Sequence, residues 1–476
     1  MQNKSCFSLI VSMIIWMAMG CKYNKLELLV SNTQYPPNIE NIVVNKCATA
    51  GCHNNISHDG AGGLNLASWD SLFEGSRGGA GVIPYRKDFS LLLYYTNVDS
   101  SKGLVMKPTM PYNNSSLTSD EYSALSEWIL NGATNASGFV KYSDNPNRKK
   151  FYTACQGCDE VAVFDAKSMK AMRYVKVGVS TVTEAPHMIK VAPNNKFWCT
   201  VFLNSNYFQI YSTIDNSLIK QIDIGMGSWN TFAISNDSKN AFVVNTTNGN
   251  IMYLELGTGT KLNWNFGLTF PHGALVNKTN DTLYVTSQQG AYIWKIPIND
   301  PSNYKQVIFS GTTHKFHEII FSPDGSKYFL TAQNNSQVLA VNTTNDSIIT
   351  TLSVGGFPQE MGVSESSPYL FVSCTEDNST FAGKTGSVYV IDYNTMQIKT
   401  SIYAGHQTHG IAVDDENNRV YFSNRNVTTG GPAPHHISVC QGRNGYITAL
   451  DINTLQLIPN YKHEVSVDPY GIDITH

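Results

Sequence analysis

A single unit recurs along the carboxyl-terminal part of this 476-residue chain, and this recurrence constrains the fold more than any other feature. Clear copies are FHEIIFSPDGSKYFLTAQNNSQVLAVN at 316–342 and THGIAVDDENNRVYFSN at 408–424. Within each copy, short runs alternate apolar with polar residues, which is the period-two pattern of β-strands. Each unit has room for four such strands. A repeat of this length with four strands is typical of a propeller blade.

The units share one start position near the beginning of the opening strand. The residues at this position are His187, Asn230, His272, His317, Gln359, His409 and Tyr470. Their intervals are 43, 42, 45, 42, 50 and 61 residues, so the last two units carry insertions. The first unit, 151–178, lacks an opening strand, and the last, 470–475, is only an opening strand. We therefore predict a seven-bladed all-β propeller whose C-terminal strand completes the first blade and closes the ring; a solenoid or a sandwich is the alternative.

The composition fits this architecture and argues against a nucleic-acid partner and against an internal membrane-spanning helix. Charged residues are only 14% of the chain and aromatic residues are 11%, which suits short strands joined by polar turns. The net charge is −3 and the longest basic run is Arg148-Lys149-Lys150, so we expect no nucleic-acid partner. No apolar run reaches the ~18 residues of a membrane-spanning helix, so no internal span is predicted.

Residues 1–21 have the layout of an export signal. Lys4 precedes the apolar run FSLIVSMIIWMAMG at 7–20, and Cys21 follows it directly. The sequence AMGC at 18–21 resembles a bacterial lipoprotein lipobox, which implies lipid attachment at Cys21 and anchoring to a membrane. The alternatives are ordinary signal cleavage and an uncleaved anchor. In each case we expect export to the periplasm or cell envelope, where disulfides and covalent haem attachment become available.

The segment CATAGCH at 47–53 is the first chemical motif. Two cysteines with a histidine directly after the second form the attachment arrangement of a c-type haem, in which both thiols bond the haem and the imidazole binds its iron. Here four residues separate the cysteines instead of the usual two. The motif predicts haem attachment at Cys47 and Cys52, with His53 as an axial ligand. The alternatives are a disulfide between the two cysteines and a zinc site that includes His58.

Four downstream blocks resemble the short cytochrome c domains of bacterial secreted proteins. They are GGLNLASWDSLFEG at 62–75, VIPYRKDFSLLLYYT at 82–96, MKPTMP at 106–111 and LTSDEYSALSEWILNGA at 117–133. The resemblance implies a small all-α domain over 22–135, with Met110 of a Met-Pro pair as the second axial ligand. Met106 is the rival ligand, and either methionine could instead be a core residue. The polar residues 136–148 are predicted to form a linker, and the propeller is predicted to span 149–476.

The last block predicts the final helix of this domain. Thr118 or Ser119 can cap its first turn, and Gly132 is expected to end it. Its expected apolar face comprises Tyr122, Leu125, Trp128 and Ile129.

The SPDG turn and the Val-x-Val-x-Asp strands make 149–476 similar to the YVTN-type bacterial propellers, which are related in fold to haem-d1-type domains. The domain order resembles that of nitrite reductases that join a c-haem domain to a d1-haem propeller, although those propellers have eight blades. The likeness concerns the fold and says little about chemistry.

Blade geometry is expected to place all seven start positions around one mouth of the central channel. The candidate catalytic or ligand-binding residues among them are His187, His272, His317, His409 and Tyr470. Neutral imidazoles bind transition metals well, so the ring is a candidate site for a second metal or cofactor. Asn230 and Gln359 are expected to orient a bound group. The alternative is that these side chains only form hydrogen bonds to loop backbone.

Three loops are expected on the same face, which we also expect to meet the haem domain. They are CQGC at 155–158, TEDNSTFAGKTG at 375–386 and a long insertion at 426–445. His435 and His436 of the insertion are predicted to close over the ring. CQGC lacks a following histidine, so it favours a disulfide within its hairpin over a second haem site; pairing with Cys440 and a metal site are the alternatives. Cys199 and Cys374 are expected to be buried.

Together these features predict an extracytoplasmic haem-c electron-transfer protein whose propeller is a redox or ligand-binding partner domain. With His53 and Met110 on both axial positions, the iron is expected to transfer single electrons instead of binding substrate. One alternative is a propeller that serves only as a binding module or scaffold. Another is a propeller oxidoreductase resembling haem-d1-type nitrite reductase. The partner is expected to be a redox protein or a small-molecule donor or acceptor.

Overall fold

The computed structural model describes residues 32–309, 315–435, 440 and 442–476. The export signal predicted over 1–21 and His436 of the blade 7 insertion lie outside these described residues. Within the described part of the chain, no helix combines the length and apolar character that a membrane crossing requires.

An amino-terminal helical unit precedes the propeller. Its α-helices are α1 (Pro37–Lys46), α2 (Trp69–Leu72), α3 (Leu91–Thr96) and α4 (Ser119–Leu130), with 3-10 turns at His58–Ala61, Lys87–Phe89 and Ser100–Lys102. α4 begins where the sequence predicts, because Thr118 and Glu121 exchange hydrogen bonds in a capping box. Leu125, Trp128 and Ile129 of its apolar face are buried in the core of this unit.

Seven four-stranded antiparallel sheets form the propeller, which confirms the predicted architecture. We number the blades by chain order and give their strands from the axis outward. Blade 1 contains β28 (Pro469–Ile474), β1 (Lys150–Cys155), β2 (Glu160–Asp165) and β3 (Lys170–Lys176). Blade 2 contains β4 (Pro186–Val191), β5 (Phe197–Phe202), β6 (Ser205–Ser212) and β7 (Leu218–Gly227). Blade 3 contains β8 (Trp229–Ile234), β9 (Asn240–Asn245), β10 (Asn250–Glu255) and β11 (Lys261–Asn265).

The remaining blades follow the same order. Blade 4 contains β12 (Pro271–Val276), β13 (Thr282–Ser287), β14 (Tyr292–Pro297) and β15 (Lys305–Ile308), with a 3-10 turn at Pro301–Asn303. Blade 5 contains β16 (Phe316–Phe321), β17 (Lys327–Ala332), β18 (Gln337–Asn342) and β19 (Ile348–Ser353), with a 3-10 turn at Gln333–Asn335. Blade 6 contains β20 (Pro358–Val363), β21 (Tyr369–Cys374), β22 (Ser387–Asp392) and β23 (Gln397–Ile402). Blade 7 contains β24 (Thr408–Asp414), β25 (Arg419–Asn424), β26 (Asn444–Asp451) and β27 (Gln456–Val467).

The C-terminal strand closes the ring as predicted. β28 pairs antiparallel with β1, with Ile474 opposite Phe151. Beyond the strand, the Thr475 N–H donates to the Lys150 carbonyl at 2.9 Å, and the Lys150 N–H donates to the Thr475 hydroxyl at 3.0 Å. Ile472 and Ile474 are both buried against neighbouring strands. The two ends of the propeller are therefore joined by a complete strand pairing.

Every innermost strand has a register shift at its start position. In blade 5, for example, the pairing of Phe316 is followed by that of Ile319, so His317 and Glu318 lie in a bulge. Bulges bend a strand and redirect its side chains. This repeated bulge explains how one sequence position can face the axis in all seven blades.

Hydroxyl groups on second strands join neighbouring blades beside these bulges. In blade 4, the Thr286 hydroxyl accepts the Gly273 N–H at 2.8 Å and donates to the His317 carbonyl of blade 5 at 2.9 Å. The same pair of bonds recurs at Thr331 in blade 5 and at Ser423 in blade 7. Each hydroxyl thereby satisfies two backbone groups that the bulge removes from the strand ladder.

The helical unit packs against blades 1 and 7. The Arg86 guanidinium forms a 2.6 Å ion pair with Glu160 of β2 and donates to the Tyr174 carbonyl of β3 at 3.0 Å. Phe89 stacks on the Tyr174 ring with centroids 4.5 Å apart. Ile83 joins the apolar core that the two blades share. Both units are therefore held together by a buried ion pair inside an apolar contact.

Deleting residues 469–476 should destabilise the propeller by at least about 4 kcal/mol, because Ile472 and Ile474 each contribute roughly 2–5 kcal/mol through burial. The deletion also leaves β1 as an exposed edge, which favours aggregation. Thermal unfolding and light scattering test this. The control is His476→Ala, which alters an exposed side chain and keeps the two backbone hydrogen bonds to Asn195, so neither measurement should change. A truncated protein that stays monomeric with an unchanged melting temperature would contradict the closure.

Replacing Arg86 with Met should destabilise the protein by about 3–5 kcal/mol, because Glu160 then remains buried without its partner. Burial raises the pKa of Glu160 from 4.5 to about 7 even beside Arg86. Because the pKa of Glu160 is higher in the folded than in the unfolded protein, its ionisation lowers the stability as pH rises, and it does so more strongly without Arg86. The loss of stability caused by Arg86→Met should therefore be larger at pH 8 than at pH 5. Adding Glu160→Gln should restore most of the loss. Denaturant titrations at the two pH values measure both effects; an equal deficit at both would refute the assignment.

Candidate functional site

The predicted haem ligands lie on the wall of one cavity, which we call the helical-unit cavity. Its volume is about 650 Å³, within the range of about 300–1,000 Å³ that small-molecule and cofactor sites occupy. Cys47, Cys52, His53 and Met110 all line it, whereas Met106 does not. Much of the remaining wall is apolar and comes from Leu64, Leu66, Leu91, Leu92, Pro108 and Pro111.

One tight turn brings the two thiols and the imidazole together. Cys47 directly follows α1, and the His53 N–H returns to the Cys47 carbonyl at 3.1 Å. Gly51 has a φ of +79°, a left-handed conformation that favours glycine. The His53 carbonyl in turn accepts the Leu66 N–H at 2.8 Å. The four-residue spacing is therefore accommodated by a turn with backbone bonds at both ends.

The His53 ring is oriented by the backbone. Its Nδ1 lies 2.9 Å from the Leu64 carbonyl, which fixes the proton on that nitrogen. Its Nε2 makes no hydrogen bond to the residues that the structure describes. Burial lowers the pKa of His53, so the ring is neutral at physiological pH. A neutral imidazole with its Nδ1–H on a carbonyl is the usual state of a metal-ligating histidine.

Neither alternative for the two cysteines is favoured by the structure. Cys47 and Cys52 are both free thiols, and burial raises the pKa of Cys47 to about 11. His58, the proposed additional zinc ligand, has its Nδ1 3.1 Å from the Asn54 carbonyl. Within the described residues, no cluster of three potential metal ligands includes either cysteine.

The two candidate methionines lie on one loop that is anchored on α3. The Met106 N–H donates to the Tyr94 carbonyl at 3.0 Å, and the Met110 N–H donates to the Tyr95 carbonyl at 2.7 Å. Only Met110 lines the cavity. The geometry thus distinguishes two residues that the sequence left as rivals.

His435 lies at this cavity and not over the propeller axis, so its predicted position is wrong. Its carbonyl accepts the Tyr95 hydroxyl at 3.2 Å, and its N–H donates to a Glu464 carboxylate oxygen at 2.9 Å. The blade 7 insertion therefore reaches outward to the helical unit. Loop length alone does not determine the direction that an insertion takes. The propeller consequently contributes one wall residue of the helical-unit cavity.

The seven start-position residues converge on the propeller axis and are all buried; we call them the axial ring. Tyr470 lies between two histidines, with ring centroids 3.6 Å from His409 and 4.1 Å from His187. The ring centroids of His272 and His317 are 3.9 Å apart. The predicted convergence is therefore present for the four histidines, Tyr470 and Gln359, and Asn230 is buried at the equivalent position of blade 3.

The CQGC loop and a buried ion pair cover the ring at the predicted mouth. Gln156 Oε1 lies 2.6 Å from His187 Nδ1, and its amide nitrogen donates to Asp468 at 3.2 Å. Arg425 pairs with the same Asp468 at 2.6 Å and places its guanidinium 4.8 Å from the Tyr470 ring centroid. These polar groups therefore lie against His187 and Tyr470 and orient both side chains.

A disulfide links Cys158 of the CQGC loop to Cys440 of the blade 7 insertion. The favoured prediction of a disulfide within the hairpin is wrong, and the alternative partner is correct. Cys155 is the last residue of β1, and its free thiol is fully buried in the apolar core that blades 1 and 7 share. Cys199 and Cys374 are buried free thiols, as expected.

Sequence reasoning missed two carboxylates at the axis. Glu318 and Glu360 directly follow ring residues in FHE and PQE, at a repeat position where blades 1, 4 and 7 have glycine. Glu360 Oε1 lies 3.8 Å from His317 Nδ1. Burial raises the pKa of both glutamates. Comparing the residue after each start position would have revealed them.

The imidazoles of the axial ring are neutral. Burial lowers the pKa of His187, His317 and His409 well below the usual range, and lowers that of His272 to about 4. Burial also raises the pKa of Tyr470, so its hydroxyl stays protonated. Neutral imidazoles have a lone pair available, so the ring can bind a metal ion or accept hydrogen bonds.

No protein-family model matches the chain, and no curated protein matches it. Among solved structures, it is similar to a functionally unknown protein from Desulfotomaculum acetoxidans, with 12% identity, a TM-score of 0.53, and coverage of 69% of this chain and 99% of that chain. This likeness concerns the fold alone. Hydrazine synthase from Kuenenia stuttgartiensis is 12% identical, covering 61% of this chain and 89% of its own, with a TM-score of 0.49. Dihydro-heme d1 dehydrogenase NirN in complex with DHE is 11% identical, covering 84% of this chain and 94% of its own, with a TM-score of 0.49. TM-scores this low carry no functional argument.

Proposed function

We propose that this chain is an exported electron-transfer protein in which the helical unit holds one covalent c haem. The propeller is its redox or ligand-binding partner domain. The observation that carries the proposal is the helical-unit cavity, on whose wall Cys47, Cys52, His53 and Met110 come together. These are the four protein groups that a His/Met-ligated c haem requires.

The residues at the cavity fit such a group. The two thiols would hold the haem covalently, His53 would bind its iron through Nε2, and Met110 would supply the second axial sulfur. Haem bound in this way exchanges single electrons. The leucine and proline side chains would give the haem apolar contacts, and Arg77 on the same wall adds a positive charge that suits a haem carboxylate. His53 keeps its orientation through the Leu64 carbonyl.

Export is part of the proposal. Lipid attachment at Cys21 would anchor the protein to a membrane in the periplasm or cell envelope. The Cys158–Cys440 disulfide supports an oxidising compartment, since disulfides persist there and are rare in the cytosol. Covalent haem attachment also takes place outside the cytoplasm, which is where the signal-like segment 1–21 would direct the protein.

The partner role of the propeller is supported by its share in the cavity wall. His435 of the propeller lines the helical-unit cavity, and the buried Arg86–Glu160 pair fixes one unit on the other. The redox partner or small-molecule donor or acceptor would therefore approach a haem site whose surroundings include both units.

The double substitution Cys47→Ala and Cys52→Ala should abolish haem-dependent peroxidase staining of the denatured protein band, because both covalent links are lost. The protein is matured in a host that attaches c haem. The control is Cys199→Ala, which removes a buried thiol outside the cavity and should keep the stain. If the unsubstituted protein releases its pigment into acidified acetone, the haem is not covalent and the proposal fails.

Met110→Leu should remove the weak ferric charge-transfer band that thioether ligation produces and should lower the reduction potential, since a Met ligand raises it. Met106→Leu is the matched control, because Met106 lies on the same loop outside the cavity wall. Far-red absorption spectra and potentiometric titration measure the two effects. The assignment reverses if the band survives in Met110→Leu and disappears in Met106→Leu.

A further inference from the structure

Three polar side chains from consecutive blades meet at the propeller axis. His317 of blade 5, Glu360 of blade 6 and His409 of blade 7 each offer one potential ligand atom, and these atoms all lie within 4.8 Å of one another. His317 Nδ1 and Glu360 Oε1 are 3.8 Å apart. Two ligands on a tetrahedral ion with bonds of about 2.1 Å are separated by roughly 3.4 Å. Small side-chain rotations therefore bring these atoms to coordination distance.

The ligand atoms are buried, and none of them makes a hydrogen bond of good geometry to the described residues. His317 is 1% exposed and His409 is 0% exposed. His317 Nδ1, both ring nitrogens of His409 and Glu360 Oε1 make no hydrogen bond of good geometry. Buried polar atoms without partners are rare in folded proteins, because each has lost its hydration without compensation. Several in one place indicate a ligand that they share.

The surrounding structure holds these side chains in place. The Glu360 N–H donates to the Ser373 hydroxyl at 3.1 Å, which fixes the bulge of β20. The His409 ring packs on Tyr470 at a centroid distance of 3.6 Å. Ligands on rigid strands with fixed side chains bind a metal more tightly than ligands on mobile loops.

The other two histidines of the axial ring each use Nδ1 elsewhere and lie outside the cluster of three close ligand atoms. His187 Nδ1 lies 2.6 Å from Gln156 Oε1, and His272 Nδ1 lies 3.2 Å from the His317 carbonyl. The ligand set is therefore two imidazoles and one carboxylate, and not the four imidazoles that the repeat suggests.

We propose that His317, Glu360 and His409 bind one divalent first-row transition-metal ion, for which Zn²⁺ is the test ion. Two histidines and a glutamate are a known ligand set of zinc and of non-haem Fe²⁺, with coordination positions left for water or a substrate. Ca²⁺ and Mg²⁺ are disfavoured because they prefer oxygen ligands throughout. This site is independent of the proposed haem.

The amide of Gln359 completes the arrangement around His317. It lies 3.3 Å from His317 Nε2. With its oxygen turned toward that nitrogen, which a half-turn of the amide allows, it accepts the Nε2–H and leaves the Nδ1 lone pair for the ion. Gln359 thereby acts as a positioning residue.

The test uses the full, haem-matured protein, purified without a polyhistidine tag. The protein is treated with a chelator, dialysed against Zn²⁺ and washed, and zinc is measured by elemental analysis beside protein and haem. We expect one zinc per chain. Glu360→Gln, which keeps the shape of the side chain, should weaken zinc binding by at least about 100-fold, more than the ~10–100-fold cost of losing an outer partner. His409→Ala should do the same.

His187→Gln is the matched control, because it alters the same ring outside the ligand set and should keep zinc binding within about threefold, below the effect of losing even an outer partner. Circular dichroism checks that each variant is folded. The proposal is overturned if the unsubstituted protein binds no zinc, if Glu360→Gln binds it as well, or if His187→Gln loses it equally. A Cys47→Ala, Cys52→Ala variant that lacks haem but keeps zinc shows that the two proposals stand or fail separately.

Discussion

The pairing of β28 with β1 is the contact on which the rest of the propeller depends. It joins residues from opposite ends of the repeat region through a strand pairing. It also places Tyr470 between His409 and His187, so the same strand that closes the ring completes its axis. Ring closure and formation of the axial ring therefore depend on the same strand, β28. Without β28, the open edge of β1 would also favour aggregation.

At the propeller axis, the fold buries polar side chains and backbone groups that β-strands do not normally bury without partners. Bulges turn the start positions inward, and the Thr286, Thr331 and Ser423 hydroxyls satisfy the backbone that the bulges displace. Side-chain atoms of His317, Glu360 and His409 remain without hydrogen bonds in the described structure. The backbone displaced by the bulges is thus satisfied within the fold, whereas these side-chain atoms are the ones that the proposed metal ion would bind.

Most of the architecture could be predicted because the blades are repeats, so aligning the repeat units locates the corresponding strands in all seven blades. The same alignment placed all ring residues at the axis, and the CATAGCH motif placed Cys47, Cys52 and His53 together. The failures concern residues whose neighbours are distant in sequence. His435 reaches the helical unit, and Cys158 bonds Cys440 at a sequence separation of 282. The distinction between Met110 and Met106 likewise required the path of a loop across α3.

The sequence by itself determined the blade number, the closing strand and the chemical types available at each site, because these follow from periodicity and from local motifs. The tertiary structure alone decided which of those groups lie close enough to share a ligand. His187 and His272 have the same repeat position as His317 and His409. Nevertheless, His187 Nδ1 bonds to the Gln156 side chain, and His272 Nδ1 bonds to the His317 carbonyl. Glu360 joins the latter pair because a bulge turns it inward. Such choices depend on distances of a few ångströms between blades, and periodicity contains no information about those distances.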